Sequence, residues 1–178
     1  FAENITVARA LRTNAIKRNQ YLKQLKAMEK IPGLRILTGV HNSGKTVILQ
    51  QYRDYLRKSG ETNIVHVDTS QDELCCSEII DRIRQLNGNP AIFIDSIEDV
   101  PTAGKLLRRL SSFPKIRIYA ASSNAGVINE IMADSFASTY SEIKVLPLSL
   151  SEFAELNEEK NTRKTLIDYM VNTALPGL

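Results

Sequence analysis

Gly39-Val40-His41-Asn42-Ser43-Gly44-Lys45-Thr46 lies between a short apolar run and a helical pattern, at the G-x-x-x-x-G-K-T spacing of a phosphate-binding loop. Each residue type in it has a physical role. The glycines let the backbone curl so that successive amides face inward, and the following helix start adds positive partial charge. Lys45 is placed to reach β- and γ-phosphates, and the Thr46 hydroxyl to ligate magnesium. We assign Gly39, Asn42, Ser43, Gly44, Lys45, Thr46 and Val47 to nucleotide contact. The alternative is a glycine-rich turn that binds nothing.

Such a loop needs a second carboxylate for its metal, at the carboxyl end of a neighbouring buried strand. Asp95 follows the apolar run Ala91-Ile92-Phe93-Ile94 and is expected, with Thr46, to hold magnesium, mostly through a water. An acid at a strand end is also a common helix cap, and Asp68, after residues 64–67, is the rival.

The elements that must position these groups alternate. Apolar runs of strand length occupy residues 34–38, 63–67, 91–94, 116–120 and 142–146. Helical patterns fill 45–58, 75–86, 102–110 and 125–133 between them. Strands and helices in this order imply a parallel sheet covered on both faces. A basic helical stretch at 6–30 precedes the core, ended by Pro32-Gly33. After Pro147 the chain turns acidic and helical from 151 to 170, so we expect a helical prologue at 1–33, a nucleotide-binding domain at 34–150, and the start of a lid or accessory domain at 151–178.

Composition sets the frame. The 178 residues are 43% hydrophobic and 24% charged, as in an ordinary globular domain, and the net charge of +3 is too small to indicate a nucleic-acid partner. The two cysteines, Cys75 and Cys76, are adjacent, which disfavours a disulfide between them and fits a reduced, cytoplasmic chain. No apolar stretch approaches the roughly 18 residues of a membrane span, and no secretion signal opens the chain. Phe1 at the start and Pro-Gly near the end suggest a piece of a longer protein.

With these residues in place the chain resembles the AAA+-like P-loop ATPases of bacteria and archaea that carry a carboxy-terminal domain of unknown function. The marks are residues 19–25, the phosphate loop, residues 92–95, Ser122-Ser123-Asn124 and, most distinctive, Glu142-Ile143-Lys144-Val145-Leu146-Pro147-Leu148-Ser149-Leu150-Ser151-Glu152-Phe153. The resemblance implies a three-layer α/β fold with a five-stranded parallel sheet ordered 5-1-4-3-2 and a helical carboxy-terminal extension. It implies ATP and magnesium as ligands, and a polar catalytic sensor matched by Ser122 and Asn124, although Ser-Ser-Asn also reads as a plain turn.

Three departures bear on activity. Ser96 stands where the group has a glutamate to orient or deprotonate water, Ser138-Thr139 stands where it has Gly-Arg, and His41-Asn42 replaces two arginines at the loop tip. A hydroxyl is a poor base, and His41 reads as a solvent-facing loop residue. Binding should therefore survive better than turnover. Glu98 and Asp99 are near enough to substitute for the missing acid but read first as helix caps, and Arg108 or Arg109 for the missing cation but read first as a solvated face.

The expected function is ATP·Mg binding with weak or absent hydrolysis, controlling a protein partner, with a homo-oligomer compatible. A nucleotide-independent scaffold and a nucleic-acid-associated motor are the alternatives. Basic residues at 12–26 and 105–117 lack the interleaved aromatics of a base-stacking platform, so nucleic acid is not favoured. Tyr21 anchors the prologue helix in the core or packs on adenine, and His66 is a structural residue.

Overall fold

In the computed structural model the described residues are 16–67, 76–86, 88–100, 103–113, 115–124, 126, 129, 140–157 and 162–171. Five parallel strands, β1 (Gly33–Thr38), β2 (Ile64–Val67), β3 (Ala91–Ile94), β4 (Arg117–Ser122) and β5 (Tyr140–Lys144), form one sheet in the order β2-β3-β4-β1-β5. This is the 5-1-4-3-2 order expected, read from the other edge. Helices α1 (Asn19–Ala27), α2 (Lys45–Lys58), α3 (Cys76–Arg84) and α4 (Ala103–Ser111) cover its faces, and α5 (Leu150–Leu156) and α6 (Thr162–Val171) come after the last strand.

Alternation along the strands explains the two cores. Ala91 and Phe93 of β3 join Leu37, Ile48, Tyr52 and Tyr119 on the side of α1 and α2. Ile92 and Ile94 join Leu34, Ile36, Leu106 and Ile118 on the side of α3 and α4. A sheet buried on both faces needs apolar residues at nearly every strand position, which is why the inner runs read as continuous rather than alternating. The parallel register sets Thr38 of β1 beside Ser122 of β4, so both strands deliver their last residues to one edge.

The fifth strand departs from its expected bounds. It runs Tyr140–Lys144 rather than over 142–146, because after Val145 donates to the Thr38 carbonyl at 2.6 Å, the Leu146 amide turns away to the Tyr21 hydroxyl at 3.0 Å. Tyr21, 4% exposed, is thus a core anchor of α1. Two of the expected basic-stretch residues are interior. Arg117 is 8% exposed and paired with Glu61, and Arg18 is 3% exposed. Of the helix expected at 125–133 only residues 126 and 129 are described; Ser138, Thr139, Asp68, Cys75 and the prologue before residue 16 lie outside the described residues.

Candidate functional site

The loop joins the end of β1 to the start of α2. Asn42 and Gly44 both adopt left-handed backbone conformations, and Gly44 caps α2 without any side-chain hydrogen bond to the first amides. Those amides are therefore available to a ligand, at the positive end of the helix. A cavity of about 180 Å³ opens beside them. His41, Asn42 and residues 44–47 form its loop wall, Asp95, Ser96 and Glu98 the wall beyond β3, and residues 121–123 the tip of β4.

Lys45 is 7% exposed, and its ammonium donates to the Gly39 carbonyl at 2.9 Å and the Val40 carbonyl at 2.8 Å. Burial pushes its pKa down, and the charges of Glu98 and Asp95 offset this only in part. A desolvated cation held by two neutral carbonyls gains strongly from an anion. Across the cavity the Thr46 hydroxyl donates to Asp95 Oδ1 at 3.1 Å. Burial raises the Asp95 carboxyl above its usual range, against the Thr46 hydrogen bond and the His66 charge, so a cation there would relieve a desolvated acid. Thr46 and Asp95 are hard oxygen donors, the chemistry magnesium takes. Among the described residues no three His, Cys, Asp or Glu side chains group as a metal centre, so phosphate oxygens and water would have to complete the shell.

The remaining assigned residues divide. Ser122 is 1% exposed and reaches the cavity, but its hydroxyl is engaged by the backbone N–H and carbonyl of Asn124 at 3.1 and 3.2 Å. Asn124 lies outside the lining, and its side-chain oxygen accepts the Gly126 amide at 2.8 Å. Gly39 and Ser43 act from behind the loop. The Gly39 carbonyl holds Lys45, while the buried Ser43 hydroxyl has no hydrogen-bond partner.

Two further groups at the site carry little signal in the sequence. Ser96 turns the chain through a left-handed conformation, Ile97 buries completely, and Glu98 is carried into the cavity wall, where Oε1 accepts the Ser123 amide at 2.9 Å. The Asp-Ser-Ile-Glu spacing was the available signal. Arg18 gave none, because its partners are far away in sequence. Its guanidinium donates to Glu152 at 3.0 and 3.2 Å, to the Ser43 carbonyl at 2.9 Å, and to the carbonyls of Leu146 and Pro147 at 2.8 and 3.2 Å.

Glu152 also completes a capping box with Ser149 at the start of α5, giving the Ser149-Leu150-Ser151-Glu152 segment a physical purpose. Burial would raise the Glu152 carboxyl, but hydrogen bonds from Arg18 and Ser149 outweigh it and hold the pKa below the usual range. A depressed folded pKa means the stabilisation is complete above the unfolded carboxylate pKa, about 4.3, and is lost as pH falls through the folded value. Acid melts should accordingly show Glu152→Gln closing on the wild type below about pH 4 and falling behind it at pH 7. A constant gap across that range would remove Glu152 from the acid response.

A family model described as "AAA domain" matches residues 32–154. An uncharacterized protein of Haemophilus influenzae is 31% identical over 148 residues, 78% of this chain, and the chain spans only 37% of that relative's length. Among solved structures, the Aeropyrum pernix ORC1 protein in complex with DNA superposes with a TM-score of 0.59 at 15% identity, over 82% of this chain and 49% of that one. The Thermotoga maritima RuvB Holliday junction branch migration motor gives 0.56 at 17% identity over 84% and 49%. Hsp104 of S. cerevisiae in complex with casein gives 0.58 at 15% over 85% and 30%. At such identities these likenesses show the fold alone.

Proposed function

Because the chain belongs to the AAA domain family, we propose that residues 34–150 bind ATP with magnesium and turn it over slowly, as a cytoplasmic switch acting on a protein partner. Residues 151–178 would then begin a lid or accessory domain that reads the state of the loop. The observation that carries this is the buried Lys45 ammonium, held only by loop carbonyls, beside open helix-start amides and the Thr46–Asp95 pair. Thr46 and Asp95 would hold the metal, which when bound neutralises charge on the phosphate oxygens. Among the described residues no helix is long and apolar enough to cross a membrane.

Slow turnover is expected from the chemistry missing at the two replaced positions. A general base contributes about 10² to 10⁴ in rate and an arginine finger about 10³ to 10⁵. With Ser96 in place of the adjacent acid and Thr139 in place of the arginine, the barrier would rise by as much as roughly 7–12 kcal/mol if the losses added. Ground-state binding uses neither.

Titration with ATPγS and magnesium tests the reading. At 100 times its dissociation constant a ligand stabilises by about 2.7 kcal/mol, or roughly 5–11 °C in Tm for a chain this size. Lys45→Ala should abolish that rise. No heat and no Tm shift at millimolar nucleotide would refute nucleotide binding and leave the scaffold reading.

A further inference from the structure

Two carboxylates border the cavity among the described residues, and their circumstances differ. Asp95 is engaged by Thr46 and suits the metal. Glu98 has one oxygen fixed on the Ser123 amide, while Oε2 is buried and hydrogen-bonded to nothing. A buried carboxylate oxygen left without a donor costs about 1–3 kcal/mol or more, so it persists where a ligand or water will satisfy it. The position is also rigid. Ile97 is fully buried on one side, and the Ser123 contact ties the turn after β3 to the tip of β4, so the carboxylate is held against the same cavity as Lys45.

On this basis, and resting on the nucleotide site proposed above, we propose that Glu98 is the catalytic carboxylate that orients the attacking water. The water oxygen forms a bond to the γ-phosphorus as the bond from that phosphorus to the β,γ-bridging oxygen breaks. The electron pair leaves on ADP, and the water's proton passes to Glu98 and then to solvent. Ser96, on the same wall, has a hydroxyl too weakly basic for that transfer. Glu98 therefore accounts for the turnover that remains, with the arginine still missing.

The variant Glu98→Gln keeps an oxygen that can accept the Ser123 amide but cannot take the proton, and Asp99→Asn in the same turn serves as control, Asp99 being exposed. Three readouts are needed. Calorimetry with ATPγS and magnesium should give a dissociation constant within about threefold of wild type. Single-turnover cleavage of ATP should slow by about 10²-fold or more in Glu98→Gln, less in Glu98→Asp, and stay within threefold in Asp99→Asn. Protein recovered after desalting should carry ATP in Glu98→Gln and ADP in wild type.

Cleavage within threefold of wild type in Glu98→Gln overturns the assignment. So does an affinity loss as large as the rate loss, which would make Glu98 a counter-ion of Lys45, and so does intact binding with no single-turnover cleavage in the wild type. Absence of ATPγS binding by the wild type instead removes the proposed function beneath it, and the two failures are thereby told apart.

Discussion

Gly39→Ala should melt roughly 4–24 °C below the wild type and lose ATPγS binding. Gly39 sits at φ +150°, and a Cβ built there lies 2.2 Å from the Val145 carbonyl oxygen. Val145 cannot withdraw, because its amide is bonded to the Thr38 carbonyl at 2.6 Å and its side chain is 1% exposed. Glycine-only backbone costs about 1–3 kcal/mol for another residue, and forced overpacking adds about 1–3, so a loss of about 2–6 kcal/mol is expected. At about 2–4 °C per kcal/mol that gives the stated shift. Gly60→Ala separates the two causes. Gly60 has φ +89° with nothing within 4 Å of its Cβ, so it should cost only about 1 kcal/mol. Equal melting losses at both sites, by calorimetry or circular dichroism, would contradict the clash with Val145. The binding loss has its own cause: shifting the Gly39 carbonyl moves one of the two acceptors that aim Lys45.

The same contrast between near and distant partners decides what could be read from the residues. The loop and the sheet were legible because their signals are contiguous. Gly39 to Thr46 are neighbours in sequence, and the apolar runs are long enough to identify β1, β2, β3 and β4 with small errors at their ends. The end of β5 was not, since apolar residues continue through Leu146 whereas the sheet stops pairing at Val145; a tyrosine hydroxyl from α1 ends it. Glu98 reads as a cap in the sequence, which holds no trace of the left-handed Ser96 that redirects the turn towards Ser123. Ser122 and Asn124 looked alike as sensors, and only the folded turn separates the one bordering the cavity from the one capping residue 126. A run of basic residues gives no hint of which member is interior. Arg18 is buried while Lys23 and Lys26, on the same segment, are exposed.

Arg18→Ala is the second large effect, and it concerns how the loop is joined to the helices beyond the sheet. The guanidinium lies 4.7 Å from the centre of the Tyr21 ring and joins four segments: α1, the loop at Ser43, the turn at Leu146 and Pro147, and α5 at Glu152. Removing it strands three carbonyls and a carboxylate. Glu152 is 18% exposed and recovers some water, but breaking a buried pair from one side still costs about 3–5 kcal/mol. Arg18→Lys keeps the charge but has only three donors and no planar fork, so it should recover less than half of that loss. In Arg18→Ala/Glu152→Gln the losses should be smaller than the sum of the single changes, as expected for two members of one network. Nucleotide affinity should fall in parallel, because the Ser43 carbonyl that Arg18 holds immediately precedes Gly44, where α2 begins. A Tm within 2 °C of wild type for Arg18→Ala would mean the network is ornamental. A large Tm loss with unchanged ATPγS affinity would mean that Arg18 fastens α5 to the core without shaping the loop. A fall in both makes one side chain the mechanical link between the phosphate loop and the carboxy-terminal helices.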